Sequence, residues 1–417
     1  MLGNIFKVAD VTLEVISRND EYEKRLVAMR RYLEGECPVR MYTSLDQSPV
    51  WFFKWKKRYD LYGVDGLQAL PRAPKHPFQK TAEVLETAIV NIRQAREKRE
   101  GEETKYALIG AFAIHKELQD LGDCPPSVRT VHKILVRHGL IVSPLEPRSV
   151  REIIDRHYPS LEITRPGQLH QLDLVGPRYL TGSSQKHDFF NLRDVGSRRI
   201  AIELGTNHKA ITGGHPLLKM WQRMGIPAIL QHDNALEFSG SNRDPRAAGL
   251  LTKLCLALGI EPLFIPYRQP YRNGTLENFN GLFQQFVLNA QNIENVAHLQ
   301  QEIVLFEKAA NTQHPHVPLD GKTSDEYEHP LGFVPKVLSK DFTCSSRFRL
   351  KEPPKAKVSF ICRIRQSGKI TIASAKFEID PNLAWDYVYA TIFVKEQTLK
   401  IYHKGEVIKE FPYELKT

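Results

Sequence analysis

The sequence predicts a multidomain protein: all-α units in the first third, an α/β core with a mixed sheet in the middle, and a small all-β barrel at the end. Three observations carry this. Helical apolar spacing, broken by turn signals, fills the first third. Strand-like and helical runs then alternate from about Leu161 to Leu331, and short strands with tight turns follow from about Lys340. A chain of 417 residues has room for several cores. The boundaries fall at 1–75, 76–160, 161–335 and 336–417.

In the first unit, "DQSPVWFFKWKKRYDLYG" sets Trp51, Phe52 and Trp55 against Lys54, Lys56, Lys57 and Arg58. Ser48 before Pro49 supplies an N-cap with proline in the first turn. A short helix, aromatic on one side and basic on the other, suits the second helix of a helix-turn-helix; an ordinary amphipathic surface helix reads the same way. The stretch "LQALPRAPKHPFQK" is a linker, either tracking a DNA backbone or simply solvated. The second unit opens with the helix of "PFQKTAEVLETAIVNIRQAREKRE". In "IGAFAIHKELQDLGDCPPSVRTVHKILVRHGL" a helix, a Gly-containing turn and a Pro-Pro-Ser start lead to a second helix bearing Arg129, Thr130, His132 and Lys133. These side chains are of the kind that read base edges, which makes this a second helix-turn-helix candidate.

The core reads as the strands "GQLHQLDLVG", "HDFFNLRDVGS", "RRIAIELG", "PAILQHDN" and "EPLFIP". Its helices are "GHPLLKMWQRMG", "AAGLLTKLCLALG", "GTLENFNGLFQQFVLNA" and "VAHLQQEIVLFEKAANTQ". Three successive strands followed by alternating helices and strands describe a mixed sheet. In the last part, "KVSFICRIRQSGKITIASAKFEI" reads as a hairpin turning at Ser367-Gly368. "YVYATIFVKEQTLKIYHKGEVIKEF" adds strands with a turn at Lys404-Gly405, and the whole suggests a barrel. From Lys340 onward there are 15 Lys and Arg against 9 Asp and Glu. Arg363 and Arg365 are candidate contacts to a DNA backbone.

The formal net charge of +10 suits a polyanionic partner such as DNA. Five scattered cysteines without a C-x-x-C pair argue against a disulfide framework and a zinc ribbon. Cys124, His132 and His138 fit no zinc motif. No secretory signal is visible, and the most apolar stretch, "LLTKLCLALGIEPLFI", is interrupted by Lys253, Glu261 and Pro262, so no membrane span is expected. A cytoplasmic protein is expected.

Three acids stand out in the core. Asp173 lies inside an apolar strand, where a carboxylate is costly unless paired or bound to a cation. Asp233 ends the fourth strand-like run, where a turn former is also expected. Glu277 falls in the first turn of the helix after "PYRQPYRNG", where it complements the macrodipole. Two acids on strands and one on a helix face suit a pair of divalent cations: hard cations take carboxylate oxygens and leave positions open for phosphate and water. A fourth acid, Asp194 in "NLRDVGSRR", reads as structural.

On "LHQLDLVGP", "NLRDVGSRRI", "LQHDNALEF", "IPYRQPYRNGTLENFNG" and "NTQHPHVPLDGKTSDEY" the middle domain resembles the catalytic core of DDE transposases and retroviral-type integrases, which adopt the ribonuclease H fold. The flanking units resemble those of insertion-sequence transposases, and the terminal barrel resembles one in phage Mu-type transposases. The resemblance implies that Asp173, Asp233 and Glu277 are the triad. Asp173 would bridge two Mg²⁺ ions, with Mn²⁺ able to substitute, and the other two acids would hold one ion each. It also implies cleavage at a mobile element's ends and strand transfer into target DNA by a homo-oligomer, in a bacterial cytoplasm at the nucleoid. An ATPase partner is left open. The chain departs from the pattern in three places. Between Asp233 and Glu277 lie 43 residues, more than is usual, with the excess near "SGSNRDPRAAG". Asn278, with Asn280 and Gln284 beyond, stands where a basic residue is common. "QHDN" replaces Ser-Asp-Asn, which makes His232 a candidate phosphate contact, and Asn280 on the polar face of the helix is a candidate DNA contact. The rival readings are a catalytically silent, domesticated DNA-binding homologue and a hydrolytic nuclease without strand transfer.

Overall fold

The computed structural model describes residues 21–69, 81–141, 158–159, 161–179, 186–205, 216–233, 246–267, 269–289, 293–342, 348, 350, 352 and 354–416. The chain divides into two compact units, 1–80 and 81–417. The linker expected over 70–80 and the insertion expected near 239–245 lie outside the described residues.

Among its described residues the first unit clusters α1 (Glu21–Leu33), α2 (Pro38–Ser44) and α3 (Pro49–Tyr62). They close over Ala28, Met29, Met41, Phe52, Trp55 and Leu67. Ser48 caps α3 by accepting from the Trp51 amide at 3.1 Å, which satisfies one of the unpaired N–H groups of its first turn. In the second unit α4 (Glu83–Lys98), α5 (Ala111–Asp120) and α6 (Val128–Arg137) pack around Ile89, Ile114, Leu118, Val131, Ile134 and Leu135. The segment between α4 and α5 docks on the core. Tyr106 is buried beside Phe286 and Phe306, and Lys105 lies 2.7 Å from Glu302.

The core follows the sequence element by element: β1 (Leu169–Tyr179), β2 (Lys186–Asp194), β3 (Ile200–Gly205), α7 (Pro216–Met224), β4 (Ile229–His232), α8 (Leu250–Leu258), β5 (Glu261–Phe264), α9 (Gly274–Phe283), α10 (Val296–Thr312) and α11 (Ser324–Glu328). β1 to β3 run antiparallel, while β4 and β5 lie parallel to β1. This mixed sheet is consistent with a ribonuclease H-like integrase core. The strand period of two sorts side chains onto opposite faces. Phe190, Leu172 and Ala201 meet Trp221 of α7 and Leu254 of α8. Phe189, Ile200 and Ile202 meet α9 and α10. On that second face Phe306 lies 5.8 to 6.0 Å, ring to ring, from Phe279, Phe283 and Phe286. Burying each such ring contributes roughly 1.5–3 kcal/mol, so α9 is held firmly.

The C-terminal strands depart from the expected barrel. They are β6 (Lys357–Arg363), β7 (Lys369–Ile372), β8 (Ala375–Glu378), β9 (Tyr387–Phe393), β10 (Thr398–His403) and β11 (Glu406–Pro412). β6 pairs in parallel with β5, Leu263 opposite Ser359 and Phe264 opposite Phe360. One nine-stranded sheet results, in the order β11-β10-β9-β6-β5-β4-β1-β2-β3. Without β6 the backbone groups along that side of β5 would be an open edge; stacking of Phe264 on Phe360 at 4.6 Å seals it. The hairpin expected at Ser367-Gly368 does not pair β6 with β7. β7 pairs with β8 instead, and their Ile370, Ile372 and Phe377 join the core. Among the described residues these six strands do not close a barrel.

Candidate active site

β1 and β4 run side by side with Gln171 opposite Gln231. Carrying that register two residues on brings Asp173 and Asp233 level at the carboxyl end of β4, the edge where ligands bind in open α/β sheets. Asp173 points to the face covered by α9, because it pairs with Asn191 of β2. From that helix come Glu277, exposed in the first turn, and Asn280, buried one turn later. Asp173, Glu277, Asn280, Arg178 and Gln284 line one cleft of about 560 Å³.

The start of α9 is fixed by residues two positions before each strand acid. Gln171 Oε1 accepts from Thr275 Oγ1 at 2.5 Å, and Gln231 Nε2 donates to Asn273 Oδ1 at 2.7 Å. Buried Arg193 donates to the Thr275 carbonyl at 2.6 Å. Asn191 Nδ2 donates to Asn280 Oδ1 at 2.7 Å, and Asn280 Nδ2 donates to Asp173 Oδ2 at 2.7 Å. The Leu174 amide donates to the other oxygen at 2.9 Å. Sequence reading missed Gln171, Gln231 and Asn191. A polar residue two before each acid, hence on the same strand face, was the signal available.

Burial, and then the charges of Asp233 and Glu277, push the Asp173 carboxyl up to about 6, against the hydrogen bonds from Leu174 and Asn280. Asp173 therefore senses both of the other acids. Among the described residues no three His, Cys, Asp or Glu side chains stand close enough together to hold a metal ion. The donor chemistry nonetheless fits a hard cation: Asp173 and Glu277 offer carboxylate oxygens to one cleft.

Other expected contacts are sorted by burial. His232 is wholly buried, its ring edge-on to Phe264 at 4.4 Å and its Nδ1 2.7 Å from the Asp233 carbonyl. Burial pushes its pKa down to about 4. This corrects the expectation of a phosphate contact, since the ring is inaccessible. Asn280, at 7% exposure, faces Asp173, so the expected DNA contact is corrected to a buried hydrogen bond. Asp194 accepts from the amides of Gly167, Gly196 and Ser197, a structural bracing. On α3, Lys56 is bound to Asp60 at 2.7 Å and Arg58 to the Gln68 carbonyl at 2.9 Å; Lys54 and Lys57 are exposed. On α6, Arg129, His132 and Lys133 are exposed, while half-buried Thr130 bonds to Ser127 of the cap. Arg363 donates to the Trp385 carbonyl at 3.2 Å, and Arg365 is exposed.

With this geometry in view, residues 258–323 match the family model described as an integrase core domain. That stretch is similar to the integrase core of the DDE transposase and integrase superfamily. The matched stretch contains Glu277 and stops short of Asp173 and Asp233. The chain is also similar to the HTLV-2 integrase catalytic core domain in complex with magnesium, at 18% identity over 39% of this chain and 97% of that one, with a TM-score of 0.29. The simian T-cell lymphotropic virus intasome in complex with PP2A regulatory subunit B56 gamma matches at 13% identity over 64% and 90%, with a TM-score of 0.32. The BIV integrase catalytic core matches at 17% over 40% and 97%, with a TM-score of 0.30. Superpositions this partial carry no argument of their own, and the fold rests on the sheet order above. Among the described residues no helix is long and apolar enough to cross a membrane.

Proposed function

We propose that the protein is a DDE-type DNA transposase, cleaving the ends of a mobile element and joining them to target DNA. The observation that supports this most is the cleft that Asp173 of β1 and Glu277 of α9 line together, at the end of the sheet to which the β1–β4 register carries Asp233. Asp173, Asp233 and Glu277 would hold two Mg²⁺ or Mn²⁺ ions, which supply activation of the attacking hydroxyl and stabilisation of the leaving oxygen. Asn280 and the Leu174 amide keep the Asp173 carboxylate in one orientation. The aromatic packing under α9 keeps Glu277 aimed across the cleft at the strand ends. The helical clusters α1–α3 and α4–α6 act as helix-turn-helix units on terminal inverted repeats. The basic C-terminal strands hold DNA or a neighbouring subunit, and joining two ends in one event calls for a homo-oligomer on DNA.

The test is metal-dependent cleavage and joining of end DNA by the full chain. Asp173→Asn, Asp233→Asn and Glu277→Gln should each abolish both steps and leave DNA binding nearly intact, because each removes a ligand charge without removing volume. Survival of joining in any one of them sinks the triad. Nicked products without joined ones would make the protein a hydrolytic nuclease. Tight binding without either product would make it a silent homologue.

A further inference from the structure

Arg178 lines the same cleft as Asp173 and Glu277, and it arrives there through a break in strand geometry. In a regular strand, residues five apart point to opposite faces. Here the β1–β2 register passes from Val175 opposite Phe189 to Arg178 opposite His187, so three steps on β1 match two on β2. The extra residue is a bulge, and it reverses the alternation beyond it. Arg178 thereby shares the face of Asp173 and Val175, the one that α9 covers. Gly176 allows the bulge. Its φ is +142°, and a Cβ there would stand 3.0 Å from both Asp188 Oδ1 and the His187 carbonyl.

A second irregularity meets the first. Past Phe283 the helix loosens into a π turn over Gln284–Leu288, a feature often found at functional sites. Gln284 Oε1 accepts from Arg178 Nη2 at 3.2 Å. The guanidinium is thus steadied by a neutral amide in a cleft that also holds two carboxylates. Among the described residues no acid is paired with it, so its charge is not spent on neutralising the cleft. A planar fork of donors suits a phosphate.

We propose that Arg178 contacts a non-bridging phosphate oxygen of the DNA strand lying across Asp173 and Glu277, with Gln284 as the residue that positions it. This rests on the phosphodiester chemistry proposed above. The acids alone would repel a polyanion, and Arg178 gives the strand a point of attachment from the side of β1.

The full chain is assayed for nicking of supercoiled plasmid in Mg²⁺ or Mn²⁺ and for binding a random 30-base-pair duplex by anisotropy. Arg178→Gln should raise the half-saturating plasmid concentration about tenfold, as loss of a charge-assisted phosphate contact implies, and flatten the log–log salt dependence of duplex binding by about one unit. Arg178→Lys should recover most of both, and Gln284→Ala should give a smaller loss that vanishes in the Arg178→Gln background. If Arg178→Gln leaves half-saturation and salt slope unchanged while Asp173→Asn and Glu277→Gln abolish nicking, the proposal for Arg178 falls alone. If those carboxylate variants nick like the wild type, the phosphodiester reading falls and takes this proposal with it.

Discussion

Asn280 Nδ2 donates to Asp173 Oδ2 at 2.7 Å while Asn280 Oδ1 accepts from Asn191 at 2.7 Å. A buried amide thus ties a candidate metal-binding acid on β1 to the strand beside it, through the helix that carries Glu277. In place of the DNA contact expected at this position, the helix presents a brace for Asp173.

Removing that brace should be felt in stability and in pH dependence. Asn280→Ala leaves Asn191 without its acceptor and Asp173 without a donor, which costs about 1–3 kcal/mol for a buried polar group. The hydrogen bond from Asn280 favours the charged carboxylate, so without it the Asp173 pKa rises further. The acid limb of the nicking pH profile should move to higher pH, alongside a lower urea midpoint. An unshifted acid limb in a folded variant would show that Asn280 does not govern Asp173.

Asp173 itself makes a stability prediction in metal-free buffer. Its folded pKa of about 6 lies above the ordinary 3.8, so the folded state binds the proton more tightly than the unfolded one. The charged carboxylate therefore costs the fold up to about 3 kcal/mol above pH 6, and that cost fades as pH falls from 6 towards 4. Asp173→Asn should raise the Tm at pH 8 in EDTA, with the difference closing below pH 4. Added Mg²⁺ should stabilise the wild type more than the variant. A variant less stable than the wild type at pH 8 contradicts the sign of this argument.

The exposed face of α6 yields a recognition prediction. Arg129, His132 and Lys133 are spaced to share that face. Arg129→Ala should weaken binding to inverted-repeat DNA by about 1–3 kcal/mol and leave scrambled DNA little affected, if it reads a base edge. Equal losses on both duplexes, measured by anisotropy, would reassign it to the backbone. Thr130 is a poor probe of recognition, because its amide and hydroxyl both engage Ser127 of the cap.

For the C-terminal strands the readout is salt dependence. Arg363, stacked on Trp385 at 5.1 Å, and exposed Arg365 follow one another at the end of β6. If they meet DNA phosphates, replacing both with Gln should weaken binding equally for all sequences. The salt slope should flatten by about one unit for each phosphate no longer neutralised. An unchanged slope with impaired self-association would make this region a subunit interface.

Most core elements were legible in the sequence because their signals are local. Short apolar runs marked β1 to β5, and "GTLENFNGLFQQFVLNA" marked the helix α9. Ser48 and Ser127 announced the starts of α3 and α6. The C-terminal strands were legible as strands, but their partners were not. "KVSFICRIRQSGKITI" looks like a hairpin because a turn signal joins two apolar runs. The pairing instead follows the open side of β5, more than ninety residues earlier in the chain.

By itself, then, the sequence determined the parts: which segments are helices and strands, and which acids stand at strand ends and in a first helical turn. Capping, turn chemistry and side-chain period act over a few residues, so neighbours in sequence suffice to settle them. Tertiary structure alone decided what those parts face. It buried His232 against Phe264, turned Asn280 from solvent to Asp173, engaged Lys56 and Arg58 within α3's own surroundings, and carried Arg178 into the cleft. Each outcome depends on register between distant strands or on which helix covers a sheet face. With a side-chain period of two, one extra residue at Gly176 is enough to exchange the faces beyond it.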